Sequence, residues 1–201
     1  MNTATFHRLP TNTPEPIHEI RVENELWGAV AGEPIETFGV DSLQAISGTP
    51  RLILRSQRDN SDAEGSFASW STAGWEAFEV AVSEITKTLK SRDQPCQLII
   101  WPGAGSVLSD AISTLTFARK DTGAGLLVDP VAWISETMLA DSEDHLGRFA
   151  QALVLCESAV GVVVRPMPGV LSADKARELL EPVIAAVTSR NGIVLDCDAL
   201  H

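Results

Sequence analysis

Cysteine is scarce in this chain. The three cysteines, Cys96, Cys156 and Cys197, show no CxxC spacing and sit beside or within apolar runs. That pattern excludes a disulfide scaffold and predicts buried free thiols in a reducing compartment. Basic residues are also few, 15 Lys and Arg against 27 Asp and Glu, for a net charge of -12. A general nucleic-acid surface is thereby excluded, because phosphate binding needs concentrated positive charge. No apolar run approaches the roughly 20 residues a bilayer-spanning helix requires. The N-terminus has no charged region followed by an apolar one, so a cytoplasmic protein is expected. The histidines His7, His18, His145 and His201 share no ligand spacing, which argues against a zinc site. GxSxG, P-loop and Cys–His signatures are missing.

Apolar material, by contrast, is plentiful. Of 201 residues, 44% are hydrophobic and 21% charged, enough for one sizeable core. Residues 1–16, rich in Thr, Asn and Pro, read as a loosely ordered N-terminal arm, and 17–201 as a single α/β domain. IHEIRV at 17–22 alternates like a half-buried strand, LWGAVAG at 26–32 is a short apolar piece, and RLILR at 51–55 is a strand candidate. The polar stretch 56–73 has the length of a binding loop, a lid or a disordered segment, and Phe67 and Trp70 favour partial order. From 74 to 91, Trp75, Phe78, Val82, Ile85 and Leu89 make one helical stripe.

The second half is more regular. QLIIW (97–101), GLLV (125–128), VGVVVRP (160–166) and GIVLDCD (192–198) read as strands. Helices are expected at 106–119 with Ser106 as cap, at PVAWISETML after Asp129, from Ser142, and at 173–190 with a bend or junction at Pro182. Strands alternating with helices predict parallel strands and right-handed crossovers, as a shortened or incomplete TIM-like barrel or as an open doubly wound sheet. Such a barrel, short of strands, would leave an edge for a homodimer or another partner to cover.

In these folds ligands gather beyond the carboxyl ends of the strands. The side chains offered there are Arg55, Trp101, Asp129, Arg165 and Asp196, with Asp198 and His201 close behind. Arg55 and Arg165 could clamp an anion or form salt bridges to the aspartates. Asp129 and Asp196 could hold a divalent cation, while Asp129 is equally suited to cap the helix opened by Pro130. With no tyrosine in the chain, Trp101 and Trp133 are the aromatics that flank this rim. A separate candidate is Gly103-Ala104-Gly105, which follows a strand and precedes a helix and an acid, the outline of a dinucleotide turn.

The run from Arg51 to Asp196, through RLILRS, GWEAFEVAVSEITKTL, CQLIIW and GAGLLVDPVAW, resembles the xylose isomerase-like superfamily of sugar isomerase and apurinic-endonuclease-like TIM barrels. The resemblance implies a divalent metal held by Glu, Asp and His at the strand ends. Here Asp129 matches the sixth-strand acid and Asp196 stands in for the final glutamate. Trp101 and Arg165 occupy the other positions, so the expectation is a degenerate barrel without an intact metal site. Its rim would bind a small anionic or sugar-like ligand, with Arg55 and Arg165 on the anion, Asp129 and Asp196 on hydroxyls, and Trp101 as an apolar wall. A non-enzymatic, homodimeric interaction protein and a dinucleotide binder are the alternatives.

Overall fold

Strands form where the chain is continuously apolar, and in this protein they curl into a closed barrel. A computed structural model describes residues 3–8, 18–32, 35, 38, 48–56 and 71–197; residues 57–70, Asp198 and His201 lie outside it. The strands are β1 (Thr3–Arg8), β2 (His18–Val22), β3 (Glu25–Val30), β4 (Arg51–Ser56), β5 (Gln97–Pro102), β6 (Gly125–Val128), β7 (Ala159–Val164) and β8 (Ile193–Asp196). Each pairs with its neighbour in sequence order, and β1 closes the ring against β8. The pairs β1–β2 and β2–β3 are antiparallel, and the others are parallel.

The class expected from the sequence, α/β with parallel strands, is therefore present, but the barrel is neither incomplete nor an open sheet. Residues 3–8, assigned above to an arm, supply the closing strand through Thr3↔Val194 and Ala4↔Leu195. Closure leaves no unpaired edge among the described strands. β2 and β3 meet at a two-residue turn, Glu23 and Asn24, both at positive φ as a tight hairpin requires. β2 presents Glu19 and Arg21, hydrogen-bonded to each other at 2.8 Å, in alternation with the buried Ile20. An antiparallel strand can leave such a face to solvent, and no helix is needed over it.

Side chains along each parallel strand alternate between two cores. Ile53, Ile99, Leu127, Val163, Ile193 and Leu195 fill the barrel. Leu52, Leu54, Leu98, Ile100, Leu126, Val128, Val162 and Val164 face outward into the layer beneath the helices. The helices among the described residues are α1 (Thr72–Lys90), α2 (Ala111–Ala118), α3 (Ser142–Leu153) and α4 (Ala173–Ser189). None is long and apolar enough to cross a membrane. α1 buries Phe78, Val82, Ile85 and Leu89, four members of the stripe read from the sequence. Its N-cap Ser71 accepts from the Gly74 amide at 3.0 Å.

Two elements differ from expectation for local reasons. α2 begins at Ala111, because Asp110 and Ser113 form a reciprocal capping box. Ser106, expected as the cap, instead donates its hydroxyl to Gly103 O at 2.8 Å. After Asp129 the chain makes short 3-10 helices, Pro130–Trp133 and Glu136–Asp141, where one α-helix was expected. α4 runs through Pro182 as one element, since its buried stripe of Ala176, Leu180, Val183, Ile184 and Val187 spans both sides.

Candidate functional site

A strand has a side-chain period of two, so the parity of each residue decides whether it enters the barrel mouth. On β4, Ile53 faces inward, and so does Arg55. The same step carries Ile99 to Trp101, Leu127 to Asp129, and Val163 to Arg165. These four side chains meet at the carboxyl end of the parallel strands. With Pro102, Gly103, Ala104 and Ala132 they line a cleft of about 170 Å³.

Asp129 is the centre of the arrangement. Its side chain is only 3% exposed. Its Oδ1 accepts from Arg165 Nε at 3.1 Å and from the Ala132 amide at 3.2 Å, and its Oδ2 accepts from Trp101 Nε1 at 3.3 Å. Burial pushes the carboxyl above the ordinary aspartate range, and Arg165, the Ala132 amide and Trp101 pull it back. Every partner is a donor, which is the environment of an ionised, acceptor-only carboxylate. Asp129 thus both caps the 3-10 turn and anchors an arginine.

The arginines are held differently. Arg165 spends Nε on Asp129. Arg55 lies over the Trp101 ring, with Cζ 4.6 Å from the centroid. No carbonyl or carboxylate among the described residues accepts from the Arg55 guanidinium. Burial pushes its pKa down, Asp129 offsets part of that, and the like charge of Arg165 adds to it. Trp101 is therefore not a free apolar wall: its N–H serves Asp129 and its face carries Arg55.

Asp196 does not belong to the site. Leu195 and Cys197 take the inward positions, so Asp196 points outward and pairs with Arg177 of α4. The mouth position that the sequence reading gave to Asp196 is occupied by Cys197, whose amide donates to Val164 O at 2.9 Å. Burial first, then the charge of Asp129, push the Cys197 thiol up to about 12, which leaves almost no thiolate at neutral pH. With Asp129 and Asp196 on opposite faces of the sheet, the two carboxylates cannot share a cation. Among the described residues no group of three or more His, Cys, Asp or Glu gathers as metal ligands. Replacement of Asp196 by alanine should lower stability by less than about 1 kcal/mol, since its pair with Arg177 is about a third exposed. Urea denaturation checks this, and a loss above 2 kcal/mol would place Asp196 in a buried network after all.

Two further candidates also change. Trp133 turns away from the mouth and packs edge-on against Phe149 of α3, at 5.7 Å between centroids. Gly103 and Ala104 do line the cleft, but α2 starts at Ala111, so no helix N-terminus follows the glycine turn. A dinucleotide turn needs that terminus against its pyrophosphate.

Fold and site together define an α/β barrel with a small cationic cleft at the carboxyl mouth of its parallel strands. Comparison of the chain with protein-family models, curated proteins and solved structures gives no match to any of them.

Proposed function

We propose that the barrel mouth binds a small anion, with Arg55 and Arg165 as its cationic contacts and Asp129 as the group that orients Arg165. One observation carries this reading: Arg55 is a half-buried guanidinium with no acceptor among the described residues, stacked on an aromatic face beside a second arginine. Desolvating a cation and placing it near a like charge is unfavourable. A barrel stabilised for its own sake would fill that position with an apolar side chain, as it does one layer below at Ile53. An ionisable group shifted by burial and by a charged neighbour, in a cleft, is a usual mark of a site.

The placement also supports reading the barrel as TIM-like, since ligands of such barrels sit where this cleft lies. On that reading the metal-ligand positions of a sugar isomerase-like barrel would carry Trp101 and Arg165 instead.

Calorimetric titration of the chain with acetate, phosphate and sulfate at constant ionic strength tests the proposal. Binding of at least one anion is expected, weakened at least tenfold by Arg165→Ala and unchanged by Asp196→Ala. Equal affinity in the Arg165→Ala protein would remove the site from the mouth.

A further inference from the structure

Within that proposal, the geometry points to a short-chain monocarboxylate as the ligand class, in preference to a phosphate or sulfate. The inference rests on the anion-binding reading and narrows it by orientation, charge and size.

Orientation comes first. Arg165 is engaged through Nε, the side of its guanidinium, and neither Nη has an acceptor among the described residues. The terminal edge with its parallel N–H groups is therefore left for a planar, two-oxygen partner, the fork geometry of an arginine–carboxylate pair. Arg55 lies over the Trp101 ring and has no side-chain hydrogen bond among the described residues, so its N–H groups are also uncommitted.

Charge comes second. Among the described residues the ionised groups lining the cleft are Arg55, Arg165 and Asp129, which together carry one net positive charge. A monoanion neutralises it. A dianion would leave a net negative charge in a poorly solvated site, on a chain whose overall charge is already -12. The Asp129 carboxylate does not repel the ligand as a bare charge would, because both its oxygens already accept hydrogen bonds.

Size comes third. The cleft measures about 170 Å³. Pockets for drug-sized ligands occupy roughly 300–1,000 Å³. Beyond the charged groups and the Trp101 ring, the lining is small and largely apolar, namely Pro102, Gly103, Ala104 and Ala132. An acid of a few heavy atoms matches that size more closely than a phosphorylated sugar does.

The test compares acetate, propionate and pyruvate with inorganic phosphate and sulfate, by calorimetry on the full chain at matched ionic strength. At least one of the carboxylates should bind ten times or more tightly than phosphate. Arg55→Lys, which keeps the charge and loses the planar fork, should weaken that carboxylate at least tenfold. The same variant should leave the denaturation midpoint close to wild type, because Arg55 has no hydrogen-bonding partner to lose among the described residues. Phosphate or sulfate binding equal to or tighter than every carboxylate would overturn the monocarboxylate assignment while leaving an anion site in place. Carboxylate affinity unmoved by Arg55→Lys would likewise overturn it. If no anion binds the wild-type chain, the anion site falls and this inference falls with it.

Discussion

Asp129→Ala should cost the fold about 3 kcal/mol, near the lower end of what breaking a buried ion pair costs. The reasoning follows the donors left behind. Trp101 is 4% exposed, so its indole N–H would be orphaned in the barrel mouth. A buried donor without a partner costs about 1–3 kcal/mol. The 3-10 turn would lose its side-chain cap at the Ala132 amide, a loss of about 0.5–2 kcal/mol. Arg165 would keep its charge beside Arg55 without the carboxylate between them, although its side chain, 31% exposed, can turn toward solvent and recover part of that loss. Relief of the desolvated carboxylate, whose pKa is raised by burial, acts in the opposite direction and holds the total near the low end. For a chain of 201 residues this corresponds to a fall in Tm of roughly 10 °C. Urea denaturation of the variant alongside Asp196→Ala makes the measurement decisive. A loss below about 1 kcal/mol for Asp129→Ala would mean that the hydrogen-bonded cluster does not stabilise the barrel. Asp129 would then be retained only to aim Arg165.

The contrast between these aspartates shows what could be read in advance. Both end apolar strands, and both look like rim carboxylates. GLLVD reaches its acid on an inward step and IVLD reaches its acid on an outward one. Each strand is buried on both faces, so hydropathy does not reveal which parity points into the barrel. Only the register against neighbouring strands does, through pairs such as Val163↔Leu195 and Val164↔Asp196. The thiol that takes the inward place, Cys197, was legible merely as a buried cysteine. The closing strand was missed for a related reason. TATFHR carries no strong apolar run and lies in a Thr- and Pro-rich segment, so its strand state depends on pairing with β2 and β8 rather than on local propensity. The helices fared better, because an amphipathic stripe is a local signal. Their starts shifted where a side chain had a competing partner, as Ser106 has in Gly103 O. Arg55, Trp101 and Arg165 were legible as side chains at the carboxyl ends of apolar strands, whereas their inward direction came from the register.

The same substitution at different glycines should move stability in opposite directions. α4 ends in a Schellman turn: the Asn191 amide donates to Thr188 O at 3.0 Å and the Gly192 amide to Val187 O at 2.9 Å, with Asn191 at φ 61. This closes the helix and turns the chain directly into β8. It also presses Gly192 against the preceding layer. A Cβ at Gly192 would lie 2.4 Å from Val187 Cγ1, 2.8 Å from Val160 O and 2.9 Å from Val187 O. Backbone oxygens and a branched side chain on a helix cannot yield cheaply, so the last turn of α4 or the start of β8 must move. Gly192→Ala is therefore expected to destabilise by about 2–3 kcal/mol, the range of overpacking in a well-filled interior. Gly147 lies within α3 with nothing within 4 Å of the position its Cβ would take. Alanine there restricts the unfolded chain and favours the helix, for a gain of about 0.5–1 kcal/mol. Denaturant midpoints at constant m-value measure both. A neutral Gly192→Ala would show that the α4–β8 turn has slack, and the barrel would then be closed less tightly at β8 than its contacts with β1 and β7 imply.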